Sequence, residues 1–557
     1  MKYLFVATCV ILVLLSVGTL LSFPNARTEV PVLYWVTDPN PAREEQVAIF
    51  HRWLINSGYG EEVVLRTTED VAAFRGRNWT PAMREAIETA EANGDAGRLW
   101  AAPPGEGALP ITVRAPLYEL RVDSANRDVS KMVIQGVSGV GGDIMDINSG
   151  SGMRYFHSVG LLRDVTEAGK RLGFDPTQTF AAMEPELTLD GRQYGFPCNV
   201  ALGMFWVNRA TLKKFGQPMP PERWTFEEFE RLGKAFVEAA NPPGERQTVF
   251  YASSGHLEVM YRSLGLSMFN ESLTRCALDD ERFLRCIKLL YKWTYEDHIL
   301  PSSAERDSFD TQSGYGGAVL QLFNRGNYAL FPMGRYALIQ LRKFGPLDVG
   351  VVELPHGGFP NAFTTTRAAA VYVGGDRQEL AEYFLGYLAS EDYNMQIVRD
   401  ADALTPNPRY AETEEFLRPE DYPNEWGAHE AFIRAENTIA IGGAYSPYVL
   451  HSVAGRLTRD AVDGFMNDRL TAEEATAQAA FRVNAEIRRT LEENPGLRAQ
   501  YAEDEALQEQ IEESRRAGRP VPVSWIGNPF HRRYYLWKGW AYDDANGRGE
   551  APGVAPE

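Results

Sequence analysis

The sequence predicts an α/β protein of more than one domain, carried out of the cytoplasm by its amino terminus. Three observations carry that expectation. Apolar, β-rich runs alternate with amphipathic helices over most of the length, the pattern of helices packed on the faces of largely parallel sheets. The chain has 557 residues, more than one hydrophobic core normally serves. Its longest apolar run, residues 3–23, comes before everything else.

That run follows Lys2, contains no charge and stops at Pro24. About 20 apolar residues span a bilayer, whereas a secretory signal has a shorter apolar core and a small-residue cleavage site. Ser16 and Gly18 would make a weak site that leaves part of the run on the mature protein. Cys9, after Val6-Ala7-Thr8, forms no lipobox. A cleaved signal and an uncleaved membrane anchor both stand. Either one places the body in the periplasm or on the outer face of the cytoplasmic membrane.

Val32-Leu33-Tyr34-Trp35-Val36 reads as a buried first strand. The turn Asp38-Pro39-Asn40-Pro41 follows, and then a helix with Val47, Phe50 and Leu54 on one face. A strand is expected over 117–122, a short helix over 131–137 and a third strand over 142–147, whose loop carries Asn148, Ser149, Gly150 and Ser151. The polar, Gly/Pro-rich stretch between the first helix and the second strand, about residues 70–115, is an expected surface insertion. Two later helices are marked by capping boxes, Thr225 with Glu228 and Thr471 with Glu474. Residues 498–519 are charged and helix-prone. The tail beyond them holds Trp525, Phe530, Tyr534, Tyr535, Trp537, Trp540 and Tyr542, too aromatic for a disordered segment. It is read as packing on the body, with an interface as the alternative.

The formal charge of −19 opposes a nucleic-acid partner, whose phosphates call for a basic surface. Four cysteines cannot staple so large a fold. Cys276 and Cys286 either bridge a short loop or are separate thiols, with Cys286 buried on a helix, and Cys198 reads as a core residue. Gly136-Val137-Ser138-Gly139-Val140-Gly141-Gly142 misses a nucleophile elbow because Val140 stands where glycine is needed. It misses a dinucleotide loop because of Ile144, so it reads as a tight turn. No Gly-Lys-Ser/Thr phosphate loop occurs, and the eight histidines form no His-x-x-x-His pair. Acid pairs such as Asp143 with Asp146 read as caps or solvated surface. Neither a catalytic constellation nor a metal or cofactor is expected.

Several segments, taken in order, resemble the family 1 extracellular solute-binding proteins of bacterial ABC importers, the group of the maltose-binding protein. Gly142-Asp143-Ile144-Met145-Asp146-Ile147 is similar to that family's Pro-Asp-hydrophobic strand, with Gly142 in place of proline. Gly191-Arg192-Gln193-Tyr194-Gly195-Phe196-Pro197 resembles its Gly-x-x-Tyr-Gly-hydrophobic-Pro crossover, and Trp206-Val207-Asn208-Arg209 its Tyr-Asn-Lys. Pro220-Pro221 with Trp224-Thr225-Phe226-Glu227-Glu228 resembles its Pro-x-Thr-Trp-Asp-Glu. Gly326 to Tyr336, Val349 to Gly357 and Glu379 to Ser390 resemble its later segments. Each match is weak alone; their common order along more than 300 residues is what makes the resemblance specific.

The resemblance implies a type II periplasmic-binding-protein fold: two α/β lobes joined by three chain crossings, with a ligand cleft between them. Lobe 1 would hold 24–197 and about 366–425, lobe 2 would hold 198–365 and about 426–497, and 498–557 would be an extension. The crossings would lie near Pro197, within 359–370 and between 422 and 444. The implied partners are a small solute, such as a sugar, and the permease subunits of an ABC transporter. The implied ligand residues are Trp35, Thr37, Asp38, Asp146, Asn148, Ser149 and Ser151 on one side. On the other they are Trp206, Gly334, Arg335, Tyr336 and Tyr445. A membrane-anchored sensor on the same fold, and a secreted hydrolase, remain as alternatives.

Overall fold

The computed structural model describes residues 31–65 and 111–544, apart from 41, 117, 124–128, 245 and 310–316. The apolar run 3–23, with Cys9, and most of the insertion lie outside the described residues. Among those described, no helix is long and apolar enough to cross a membrane. The chain divides into two compact units, residues 1–35 with 41–123, and residues 36–40 with 124–557.

In the first unit the helix Ala42–Asn56 buries Val47, Ile49, Phe50 and Leu54. His51 on the same helix accepts the Leu120 amide at 2.9 Å, and burial brings it down to about 3, so the ring is neutral at physiological pH. The strand expected over 117–122 is Glu119–Asp123. A strand with no counterpart in the sequence reading, Gly60–Leu65, pairs antiparallel with Ile111–Pro116, from Gly60 opposite Pro116 to Leu65 opposite Ile111. Its opening Gly60-Glu61-Glu62 lacks the alternation by which a strand is recognised.

Beside two short two-stranded sheets, two larger ones organise the second unit. In one, the long strand Ala362–Val371 lies antiparallel to Ile144–Asn148 and to Gly195–Leu202, and parallel to Ala440–Ile441. In the other, Tyr328–Met333 is parallel to Phe250–Ala252 and antiparallel to Met204–Asn208, which in turn pairs antiparallel with Val349–Val352. The pairing is thus mixed, and the expectation of largely parallel sheets is corrected. Gly195–Leu202 runs on through one residue, Gly203, into a strand of the second sheet, and Ala362–Val371 returns beside it in the opposite direction.

Alternation along Met204–Asn208 divides two cores. Phe205 and Val207 join Trp224, Phe229 and Tyr251 on one face, while Met204 and Trp206 join Phe331, Leu338 and Phe432 on the other. The capping boxes form as expected. Thr225 Oγ1 accepts the Glu228 amide at 3.3 Å and Glu228 accepts that of Thr225 at 2.8 Å; Thr471 and Glu474 do the same at 3.2 and 2.8 Å. They start the helices Phe226–Ala240 and Ala472–Glu493. Cys276 and Cys286 are free, buried thiols, and Cys198 is a buried thiol as well. Burial pushes Cys276 and Cys286 up to about 12, so both are inert core side chains rather than a bridge.

The aromatic tail folds back on the body. After the helix Arg498–Arg516, the segment Val521–Pro522 pairs with Ala541–Tyr542, and the helix Pro529–Lys538 lies between them in the chain. Phe530, Tyr534 and Tyr535 pack with Phe359 and Ile441, beside the strands Ala362–Val371 and Ala440–Ile441. Asn528, fully buried, donates to Ser267 Oγ at 3.0 Å and the Phe269 carbonyl at 2.9 Å. Glu271 is held by Arg515 at 2.8 Å, by Gln508 at 2.9 Å and by the Tyr535 hydroxyl.

Burial alone would raise the Glu271 carboxyl. The neighbouring His531 and the bonds from Tyr535 and Gln508 overturn that and hold it at about 2, against an ordinary 4.5. Burial brings His531 down from 6.5 to about 4. The Glu271 contribution, roughly 3 kcal/mol, is complete above pH 4.5 and is lost as pH falls through about 2. The neutral His531 weakens docking over pH 6.5 to 4, because the unfolded imidazole takes up its proton first. Near-ultraviolet circular dichroism is therefore expected to fall in two stages on acidification. Glu271→Gln should abolish the lower stage; an unchanged lower stage would assign it to other carboxylates.

Candidate functional site

The strand Ile144–Asn148 hands over to the helix Ser149–Ser158 through an unusual residue: Ser149 has φ +66°. The left-handed region costs a residue with a Cβ about 1–2 kcal/mol, and such strain gathers at functional sites. Ser149 and Ser151 share a hydrogen bond of 2.8 Å between hydroxyls. One residue into the helix, the Gly150 amide donates to the carboxylate of Glu186. The same carboxylate accepts the Gly443 amide at 3.0 Å and the Tyr445 hydroxyl at 3.3 Å. Gly150 allows this approach, since a Cβ there would lie 2.9 Å from both Glu186 Oε2 and the Tyr445 ring. Burial pushes the Glu186 carboxyl up, opposed by the bonds from Gly443, Gly150 and Tyr445 and by the charge of Arg154. A carboxylate side chain thus occupies the anion-favouring start of the helix.

Beside this junction lies a cavity of about 550 Å³. One wall is the helix Ser149–Ser158, through Ser151, Arg154, Tyr155 and His157, with the turn at Leu189 and Asp190. The facing wall is the loop Tyr445 to Leu450 with His451, together with Glu486, Arg489 and Gln500. Tyr445 meets His451 edge to face at 5.0 Å, and His157 meets Tyr194 at 4.5 Å. The Arg489 guanidinium is paired with Glu486. The volume lies within the range of small-molecule sites, and the lining offers hydroxyls, amide, imidazole and guanidinium groups, the carboxylates of Asp190, Glu486 and Glu493, and two tyrosine rings. Of the residues expected from sequence, Ser151 and Tyr445 line it, and Ser149 touches its rim through Ser151. Asn148, exposed, ends the strand that leads there.

A second group of expected residues comes together elsewhere. Thr37 donates to Asp146, and Arg367 binds both, with 2.9 Å to Thr37 Oγ1. Asp402 lies 3.6 Å from Arg367 and accepts Asn199 at 3.0 Å. Asp402 sits between Ala401 and Ala403, both with positive φ. Arg367 is aimed at this cluster by a bulge: Asn199 stands opposite Arg367 and Pro197 opposite Ala368, which leaves Cys198 as the extra residue. The Tyr393 hydroxyl takes up the Cys198 carbonyl at 2.9 Å. Thr37, Asp146 and Arg367 are each at most 6% exposed, so they form an interior ionic cluster. Asp38, next to Thr37, is half-buried.

The remaining expected residues are built into the core. Trp206 is fully buried against Phe432 at 5.4 Å, and its Nε1 donates to the Gly334 carbonyl at 3.2 Å. Arg335, 1% exposed, donates to His429 Nδ1 at 3.0 Å and to the carbonyls of Ala403 and Val398 at 2.9 and 3.3 Å. Burial brings His429 down to about 4, leaving a neutral ring that can accept from Arg335. Tyr336 stacks back over Gly334, where a Cβ would be 2.7 Å from its ring. Trp35 is fully buried within the first unit, with the Arg43 guanidinium 5.9 Å from its ring. These aromatic and cationic side chains satisfy one another and present no edge to the cavity. Missed by the sequence reading were Arg154, Glu186, His157, His451 and Arg489. The Glu-Pro start of the short helix Glu184–Leu187 was the available signal for Glu186.

Among the described residues no group of histidine, cysteine, aspartate and glutamate could hold a metal ion. Residues 123–395 match the family of bacterial extracellular solute-binding proteins, which is not an enzyme class. No curated protein matches the chain. An ABC substrate-binding protein of Listeria monocytogenes, in complex with cycloalternan, superposes with a TM-score of 0.59 at 16% identity, over 82% of this chain and 98% of that one. An ABC transporter solute-binding protein from Thermotoga lettingae bound with α-D-tagatose gives 0.57 at 14% identity, over 82% and 100%. The maltose/maltodextrin-binding domain of Bdellovibrio bacteriovorus bound to maltotriose gives 0.53 at 15%, over 82% and 100%. The fold is therefore the two-lobed α/β fold of maltose-binding-protein-like proteins.

Proposed function

We propose that this chain, whose residues 123–395 belong to the bacterial extracellular solute-binding proteins, is the extracytoplasmic binding component of an ABC importer and captures a carbohydrate. The supporting observation is the two-walled cavity of about 550 Å³, bounded on one side by the helix Ser149–Ser158, whose start Glu186 holds in place, and faced by Tyr445 and His451. Sugars offer apolar C–H faces to aromatic rings and hydroxyls to polar side chains, and this lining supplies both. Structures of the same fold hold cycloalternan, tagatose and maltotriose. Gly195–Leu202, Ala362–Val371 and Ala440–Ile441 would be the three crossings about which the walls close, since all three lie side by side in one sheet. Closure on a solute then follows from contacts made to both walls at once.

A thermal-shift screen of mono- and oligosaccharides, followed by titration calorimetry, tests the reading. A saturable rise in melting temperature without product formation is the expected result. Silence across sugars, polyols and sugar acids would overturn it, and hydrolysis of a bound oligosaccharide would replace it with an enzymatic one.

A further inference from the structure

Arg154 is the feature of the cavity that the binding of a neutral sugar leaves unexplained. It projects from the second turn of the helix Ser149–Ser158 and lines the cavity wall. Among the described residues it donates to no side chain or carbonyl, and its Nε is buried without a partner. Burial works against its charge and brings its pKa down, while Glu186 and Asp190 support it only through space.

Two buried guanidinium groups described above are held by acceptors. Arg335 has His429 and two carbonyls, and Arg367 has Asp146. Across the cavity Arg489 is neutralised by Glu486. Glu186 cannot serve Arg154 in the same way. Its oxygens are already taken by Gly150, Gly443 and Tyr445, and no ion pair joins the two side chains. The half-buried Arg154 leaves its Nε–H cut off from water without an acceptor, which is costly, and a ligand that brings an anion to the guanidinium recovers that cost.

We propose that the solute is an anionic saccharide, with a carboxylate or sulfate group held in a bidentate contact by Arg154. This rests on the carbohydrate reading of the cavity and narrows it. The planar guanidinium presents paired N–H donors that match the two oxygens of either group. The start of the helix is closed to the same anion, because Glu186 fills it. The acidic group therefore sits about one helical turn further on, at Arg154, with the rest of the sugar toward Tyr445 and His451.

Titration calorimetry on the full chain with matched disaccharides tests this: digalacturonate, its neutral counterpart galactobiose and sulfated galactobiose, with the corresponding glucose series alongside. An acidic member is expected to bind at least tenfold more tightly than its neutral partner, with a preference that shrinks as salt is raised. Arg154→Gln should collapse the acid-to-neutral ratio to near one and Arg154→Lys should retain part of it. The wild-type ratio alone decides if a variant fails to fold. Preference for the carboxylated or the sulfated member identifies the anion. Equal binding of acidic and neutral members would overturn the inference and leave the carbohydrate reading standing. Binding of none of them, alongside silence in the wider screen, would remove both.

Discussion

Arg367→Met is expected to cost about 3–5 kcal/mol of stability, the range found when one partner of a buried ion pair is removed, and to lower the melting temperature by about 3–6 °C, since the unfolding entropy of so long a chain is large. The size of the effect follows from what is left behind. Asp146 is 1% exposed, and in the variant it loses its guanidinium partner while the Thr37 hydroxyl and a 3.5 Å contact from Cys198 Sγ remain. Asp402 loses the same cation at 3.6 Å. Differential scanning calorimetry gives the number directly. A second variant separates the cost of a stranded charge from the worth of the pair: Arg367→Met with Asp146→Leu should recover most of the loss, since an apolar replacement of both partners is often neutral. A drop below 1 kcal/mol in the single variant would mean that water reaches Asp146.

Glu186→Ala has the second large effect, and it concerns the cavity rather than the core. The substitution leaves the Gly150 and Gly443 amides and the Tyr445 hydroxyl without their shared acceptor, at about 1–3 kcal/mol for each group that water cannot reach. Since Glu186 is what bonds the helix Ser149–Ser158 to the segment carrying Gly443 and Tyr445, the joined arrangement of the two walls should lose population. Small-angle scattering of the ligand-free variant should show a larger radius of gyration than the parent. Affinity for any cavity ligand should fall roughly 10- to 100-fold, the factor for about 1.4–2.8 kcal/mol. Glu186→Gln keeps one carbonyl acceptor and should fall between the two. An unchanged scattering profile in Glu186→Ala would show that other contacts hold the walls together.

Periodic and capping signals in the sequence carried the fold well. The capping box at Thr225 and Glu228 appears as read because it depends on four consecutive residues and on nothing distant. The strand at Ile144–Asn148 appears because its apolar run is bounded by glycines on one side and Ser149-Gly150-Ser151 on the other. Sheet direction was not legible in this way. Whether Met204–Asn208 pairs parallel or antiparallel depends on where Tyr328–Met333 returns, more than a hundred residues later.

The candidate site divides along the same line. Ser151 and Tyr445 were found because they stand in segments with a recognisable order. Trp206 and Arg335 stand in such segments too, yet their neighbours Phe331, Phe432 and His429 come from remote parts of the chain and enclose them. A residue type suited to sugar binding is also suited to filling a core, and only the partners decide between the two uses. Arg154 and Glu186 were missed for the converse reason. A single charged residue on a helix reads as solvated surface until the opposite wall is in place.

The bulge at Cys198 absorbs one residue without disturbing the ladder on either side of it. As the extra residue in Gly195–Leu202, it lies between Pro197 and Asn199, which face Ala368 and Arg367 in turn. Deleting it would leave Pro197 and Asn199 as consecutive rungs opposite the same partners, with Val200 and Leu202 still in the core. An inserted residue between Asn199 and Leu202 would be different, since a one-residue slip there would reverse the side chains that follow. Position 198 is therefore where this strand can lose a residue and keep its pairing, whereas the four positions after it cannot gain one.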